Sequence, residues 1–280
     1  MPHVCRGRVQ VGLARVQNGS LNAVRIATFN INGINSRLDR LTDWLAETGP
    51  DIVCLQELKT PQHGYPDAAL ATLGYQSVWI GEARWNGVAI LSRIGEPIVT
   101  RRSLPGAAED RQSRYIEAAV AGVLVGCLYL PNGNPRPGPK FAYKRAWCDR
   151  LVAHAGSLVK AGVPAILCGD YNIVPTDRDI YNPASWRENA LLQPEPRQAF
   201  ADLLDQGWSD ALAERYPHDP QWTYWSYMRN AWDRDAGWRI DHLLLSPLLA
   251  KRLEDAGVDR CVRSFTGASD HAPAWVSLSE

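Results

Sequence analysis

Acidic and amide residues recur at the ends of apolar runs in this chain. Asn30 and Asn32 follow Ala27-Thr28-Phe29, Glu57 follows Ile52-Val53-Cys54-Leu55, and Asp170 with Asn172 follows Ala165-Ile166-Leu167-Cys168. Asp241 heads another apolar run, and Asp270 with His271 precedes Ala272-Pro273. Each lies at or beside an expected strand terminus, where side chains from distant stretches can converge on one cleft. Oxygen-rich groups converging with a histidine suit a hard divalent cation and phosphate-ester hydrolysis.

Taken singly, each position has a plainer alternative. Glu57 closes a buried run and is poorly accommodated there unless it meets a cation or a donor, though a glutamate can also cap a strand at the surface. Asn30 and Asn32 are two residues apart and share a face, so both can offer amide oxygens to a metal or amide protons to a phosphate; asparagines at such a junction also form turns. Asp170 and Asn172 have the same spacing: the aspartate can take a proton from water while the asparagine donates to a phosphoryl oxygen, against the alternative of an Asx-turn. Asp241 is a candidate to orient the His271 imidazole, as the acid does in hydrolytic triads. Tyr129, in Tyr129-Leu130-Pro131-Asn132-Gly133, adds a phenol that can bond a phosphate or cover a turn. The recurrence of the pattern favours the chemical reading over coincidence.

The elements that must position these groups are regular from Val24 onward. Val24 to Ile31 alternates like a strand, Leu38 to Glu47 carries Leu38, Leu41, Trp44 and Leu45 on one helical stripe, and Asp51 to Leu55 is a short buried strand. Strands are expected at 75–80, 88–91, 115–120, 123–130, 165–168, 222–227, 239–245, 258–265 and 274–278. Helices are expected at 198–206 and at 140–160, the latter with Phe141, Cys148, Leu151, Val152, Ala155, Leu158 and Val159 on its apolar face. Strand groups in both halves, with helices between, predict two packed sheets flanked by helices in a single domain over 24–280. Residues 1–23 lack periodicity and are read as a flexible N-terminal extension. The Pro-rich stretches 131–139 and 173–196 are read as functional surface loops.

With 280 residues and 45% apolar content the chain can bury a substantial core, and no run of eighteen apolar residues is present. The expectation is a soluble, cytoplasmic monomer. Its six cysteines fall at no zinc-finger or redox spacing, which predicts buried thiols in a reducing compartment. Formal charge is zero, so distribution matters more than the sum: Arg136, Lys140, Lys144, Arg145 and Arg150 form one basic group, and Arg101, Arg102, Arg111 and Arg114 another. Either can contact phosphates, and either can equally be a solvated face. A Gly-x-Ser-x-Gly elbow, His-Glu-x-x-His, a phosphate loop and a dinucleotide fingerprint are all absent from the sequence, which removes the serine hydrolase, zinc peptidase and nucleotide-switch classes.

From Val24 to Leu278 the chain resembles the exonuclease III family of abasic-site endonucleases. The resemblance rests on Phe29 to Gly33, Leu55-Gln56-Glu57, Asn86 to Ile90, Tyr129 to Gly133, Gly169 to Asp177, Gly237 to Asp241 and Ser269 to Pro273, in the family's order. It implies a four-layered α/β sandwich, two mixed sheets flanked by helices, shared with pancreatic-type deoxyribonucleases and inositol-phosphate phosphatases. It also implies Mg²⁺ as cofactor, with Mn²⁺ as a substitute, held mainly by Glu57 with Asn30 and Asp270 nearby and with Asp170 and Asn172 in the ligand set. In the same family-based assignment Asp170 activates water, Asn172, Tyr129 and Asn32 contact the substrate, and His271, oriented by Asp241, stabilises developing charge. Tyr224, Trp238 and Ile240 resemble the lining of a pocket for a flipped-out baseless sugar, where a normal nucleotide would cost a few kcal/mol more to extrude. Most of the eleven tryptophans are expected in the core. The implied substrate is double-stranded DNA with abasic sites or blocked 3′ ends, met on the nucleoid with no membrane involved. Leu58, where the family usually has threonine, His242 and residues 1–23 depart from its pattern, and none of them removes a catalytic group. The rival within the fold is a small-substrate phosphoesterase or RNA-directed nuclease; the rival outside it is a non-catalytic DNA-binding module.

Overall fold

A computed structural model of the chain describes residues 23–279; the proposed N-terminal extension, but for its last residue, lies outside the described residues. In chain order the strands are β1 (Val24–Asn30), β2 (Ile52–Gln56), β3 (Gln76–Ile80), β4 (Val88–Ser92), β5 (Ile98–Arg101), β6 (Tyr115–Val120), β7 (Val123–Tyr129), β8 (Ala165–Asp170), β9 (Ser209–Asp210), β10 (Asp241–Leu245), β11 (Leu253–Val258) and β12 (Ala274–Leu278). The helices are α1 (Leu38–Thr48), α2 (Asp67–Ala71), α3 (Pro139–Lys160), α4 (Pro194–Asp205), α5 (Ala211–Arg215) and α6 (Pro247–Ala250). One sheet has the order β11-β12-β1-β2-β4-β3 and the other β5-β6-β7-β8-β10-β9. Each holds one parallel pair, β1 with β2 and β7 with β8, among antiparallel neighbours. The parallel pairs need crossovers, which α1 and α3 supply.

The period of two along each strand explains the layers. In β1, β2, β7, β8 and β10, Ile26, Ile52, Cys54, Val125, Cys127, Ile166, Cys168, Leu243 and Leu245 face the space between the sheets and form one core. The alternate residues of β1 and β2, Ala27, Phe29, Val53 and Leu55, pack against Leu41, Trp44 and Leu45 of α1. Leu128, Leu167 and Leu244 pack likewise against Trp147 and Leu151 of α3 and Phe200 and Leu203 of α4. The result is the expected four-layered α/β sandwich.

Several elements differ from the sequence expectation. Residues 222–227 form only isolated bridges at Tyr224, to Trp238 and to His271, because Tyr224 N–H bonds Trp238 O (3.0 Å) and Trp225 N–H bonds Asp270 O (2.8 Å) instead of extending a ladder. The strand expected at 258–265 lies earlier, as β11, and Arg260–Ser264 is a 3₁₀ turn. Edge strand β5, mostly exposed, carries no alternation to read. The buried side of α3 includes Lys144 and His154, while Val152, Val159 and Phe141 are only partly buried. His154 is accommodated because its Nε2 meets Glu117 at 2.7 Å and the Tyr115 hydroxyl at 3.0 Å.

Candidate active site

Strand register gathers the polar strand ends. Asp170 is the last residue of β8 and pairs with Tyr129 of β7 on one side and Asp241 of β10 on the other. Asn30, last in β1, pairs with Gln56, so Glu57 follows immediately beside it. By alternation Asn30, Tyr129, Asp170 and Asp241 all point into the space between the sheets, where the apolar core gives way to polar groups at one end. His271 arrives from the segment leading into β12, with Ser269 Oγ donating to Asn30 O at 2.6 Å.

The side chains form one connected cluster. Asn30 Nδ2 donates to Glu57 Oε1 and to Asp170 Oδ2, each at 2.9 Å, and the Tyr129 hydroxyl donates to Glu57 Oε1 at 2.8 Å. His271 Nδ1 lies 2.7 Å from Asp241 Oδ2, and its Nε2 lies 3.8 Å from Asp170 Oδ2. Asn32 Nδ2 donates to Asp270 Oδ1 at 2.9 Å. Asn32, Glu57, Lys59 and Asn172 all adopt positive φ, between 48° and 53°, a conformation that non-glycine residues hold where surrounding structure enforces it, often at functional sites.

Burial sets the electrostatics. It pushes Asp170 up to about 7; His271 pulls against this, while the Asp241 and Glu57 carboxylates add to it. Burial opposes charge on His271, but Asp241 outweighs it and raises the ring to about 10. Burial would likewise raise Glu57, yet Lys59 and Asn30 bring it below its ordinary value. A carboxyl near neutrality next to an imidazole held by a second acid can exchange a proton with water.

Two observations bear on a cation. Asp170, Asp241 and His271 can present ligand atoms within 4.8 Å of one another, and Asp241 Oδ1 is buried without a hydrogen-bond partner among the described residues. Glu57, Asp170 and Asp270 together with the asparagine amides make a hard, oxygen-dominated donor set that fits a divalent ion of the Mg²⁺ type. The residues fit unequally. Asn30 turns its nitrogen toward the carboxylates while its oxygen accepts from Asn32 N–H at 3.1 Å. The Asn172 amide donates to Leu130 O at 3.0 Å and accepts from Asn132 Nδ2 at 2.9 Å, so here it faces its own loops.

The cluster opens onto a cavity of about 780 Å³ whose lining includes Tyr224, Trp238 and Ile240, as well as Leu191, Trp186 and Tyr181 from the 173–196 stretch. Tyr224 and Trp238 meet edge to face at 5.9 Å, and Trp186 packs on Trp238 at 4.9 Å. Trp186 and Leu191 give no sequence signal beyond their place in a Pro-rich loop. Lys59 was also missed; its ammonium bonds Glu57 Oε2 at 2.7 Å and also Asn32, and its position two residues after Glu57 was the available clue. Of the basic residues expected to contact phosphates, Lys144 is fully buried and Arg150 is paired with Asp110 at 2.7 Å. Arg114 stacks over the Tyr129 ring at 4.7 Å. The departing His242 is buried between Arg239 and Ile173 O, each at 3.1 Å.

Comparison with known proteins agrees with this geometry. The model of the Endonuclease/Exonuclease/phosphatase family matches residues 27–271. An exodeoxyribonuclease of Bacillus subtilis is 31% identical over 261 residues, which cover 91% of this chain and 100% of the relative. A 3′ phosphatase from Neisseria, solved with a product DNA hairpin, superposes with a TM-score of 0.88 at 38% identity, covering 92% of this chain and 100% of that one. An AP endonuclease from Archaeoglobus fulgidus gives 0.87 at 34% identity, covering 91% and 99%. Strand register, a shared polar end and matches of this extent assign the chain to the endonuclease/exonuclease/phosphatase family, among its exonuclease III relatives.

Proposed function

We propose that the chain is a Mg²⁺-dependent DNA repair nuclease that hydrolyses the phosphodiester 5′ to an abasic site in duplex DNA, with further activity on blocked 3′ ends. The observation that carries this reading is the position of Asp170. It lies 3.8 Å from an imidazole held by Asp241, shares the Asn30 amide with Glu57, and lines the same cavity as Tyr224, Trp238 and Ile240. Glu57 and Asp270 would hold the ion, with Asp170 at its edge and Asn30 joining once its amide oxygen, here bonded to Asn32 N–H, is turned inward. When bound, Mg²⁺ supplies positive charge to the phosphate and acidifies water.

The remaining chemistry belongs to the side chains. Asp170, with its raised pKa, accepts the proton of the attacking water and aligns it. His271, kept cationic by Asp241, offsets charge that grows on the phosphate, and the donors of Tyr129 and Asn172, which here bond Glu57 and Leu130 O, turn to its oxygens when substrate enters. Asn32 reaches the substrate beside Asp270, to which its amide donates. Apolar walls accept a sugar without its base more readily than one with it. The same reading makes the protein a cytoplasmic monomer working on nucleoid DNA, and no helix among the described residues is long and apolar enough to cross a membrane.

The test is a duplex with one synthetic abasic site, incubated in Mg²⁺ or in chelator beside a duplex ending in a 3′ phosphate. Incision 5′ to the lesion only with metal is the expected result. Hydrolysis confined to small phosphorylated compounds or to RNA would instead favour the phosphoesterase or RNA nuclease reading, and DNA binding without cleavage the non-catalytic one.

A further inference from the structure

Lys144 lies on the inner side of α3 with 0% of its surface exposed, and among the described residues its ammonium bonds no carboxylate. Its Nζ donates to two main-chain carbonyls instead, Pro131 O at 3.1 Å and Asn172 O at 2.5 Å. Withdrawing a lysine head group from water is costly, and two neutral acceptors recover only part of that cost. Burial, joined by the nearby Arg114 charge and opposed by Cys148 and Asp170, pushes its pKa down to about 8. An apolar side chain at this helix position would avoid the cost, so what the lysine secures is the geometry of its acceptors.

Those acceptors belong to the two loops that leave β7 and β8. The loops are also joined by Asn132 Nδ2 to Asn172 Oδ1 and by Asn172 Nδ2 to Leu130 O. The lysine stem is threaded tightly beneath them. Gly133, at φ +89°, has no side chain, and a Cβ there would stand 2.6 Å from Lys144 Cδ. The lysine thus ties both main chains to one rigid helix, beneath the asparagine that the proposed mechanism aims at the phosphate.

We infer that Lys144 is a positioning residue for phosphate hydrolysis, fixing the Asn132–Asn172 pair by clamping the carbonyls of Pro131 and Asn172. The role needs only two N–H donors, so it holds for the ammonium and the amine alike. It rests on the reading of Asn172 as a phosphate contact, and it predicts an effect on turnover rather than on DNA affinity. A displacement of about an ångström can cost on the order of a hundredfold in rate.

The experiment is a cycle of Lys144→Met and Asn172→Ala, singly and together, with Lys144→Arg as the conservative control. Lys144→Met should lower kcat at least tenfold with KM within about twofold, and Lys144→Arg should recover most of the loss. In the Asn172→Ala background Lys144→Met should add almost nothing, because its route of action is already gone. Equal loss in both backgrounds, or a loss in Lys144→Met that Lys144→Arg leaves unrepaired, overturns the inference. Should Lys144→Met fail to fold, Gly133→Ala takes its place in the cycle, since it displaces the lysine stem without deleting it. Side-chain amide NMR signals of Asn132 and Asn172 in the metal-free protein give a readout independent of substrate. They should shift in Lys144→Met; unchanged signals refute the clamp. Absence of any DNA cleavage by the unaltered protein counts against the proposed function and leaves that spectroscopic arm intact.

Discussion

Replacing Asp170 with asparagine should abolish cleavage and, in the absence of metal, make the protein more stable. Asp170 is buried with its pKa pushed from 3.8 up to about 7, so between those values the folded chain binds more protons than the unfolded one. Stability therefore falls as pH rises through that window and is level above it. A rise of roughly three units corresponds to about 4 kcal/mol at most. Asparagine removes the charge but has one acceptor oxygen where the carboxylate has two. Asp170 accepts from Asn172 N–H and from Asn30 Nδ2, each at 2.9 Å, so one of these bonds must be rebuilt, at about 1 kcal/mol. The variant should then gain about 2–3 kcal/mol at pH 8 in chelator, or roughly 5–10 °C in Tm for a domain of this size. Near pH 4 the gain should vanish. Thermal and urea unfolding of both proteins from pH 4 to pH 8 in chelator measure it directly. A variant no more stable at pH 8, or one whose advantage persists at pH 4, would refute the electrostatic account of this site.

Other perturbations separate the parts of the site. Glu57→Gln should weaken metal binding by about tenfold or more, read as a higher Mg²⁺ midpoint for activity, because Glu57 bonds Asn30, Tyr129 and Lys59 and so anchors the donor set; an unchanged midpoint would move the ion elsewhere. Gly169→Ala should cost at least about 3 kcal/mol in urea unfolding, since a Cβ there would lie 1.9 Å from Leu128 O and φ is +155°; an unaffected midpoint contradicts this. Asp210 is held well below the ordinary carboxylate range because Arg239 and His242 outweigh its burial, so it adds stability above about pH 4 that is lost as pH falls further. Asp210→Asn should flatten the acid limb of the stability profile and cost about 3–5 kcal/mol at neutral pH, where Arg239 keeps one carboxylate, Asp179, of its two. Trp238→Ala should reduce incision at abasic sites more than hydrolysis of a 3′ phosphate, provided the sugar pocket rather than the metal centre limits the former; equal losses would count against that pocket.

The site was legible wherever a polar residue closes an apolar strand. Asn30, Tyr129, Asp170 and Asp241 share a strand face with core residues, and the period of two carries that information in the sequence itself. Residues that act from outside the strands were not legible. A lysine in a helix reads as solvated surface, and only the carbonyls of Pro131 and Asn172 explain why Lys144 turns inward. Trp186 gains its place in the cavity from Trp238, far along the chain. Residues 222–227 show the converse error: their strand-forming composition is real, but their partners are Trp238 and the Asp270-His271 segment, so two isolated bridges at Tyr224 form in place of a ladder.

The pairing of β1 with β12 joins Val24 to Leu278, close to the two ends of the described residues. Closure of this pair is slow because the two strands are so distant along the chain. His271 and Asp270 travel with that last strand. His271 is thus set beside Asp170 and Asp241 by the least local strand pairing in its sheet.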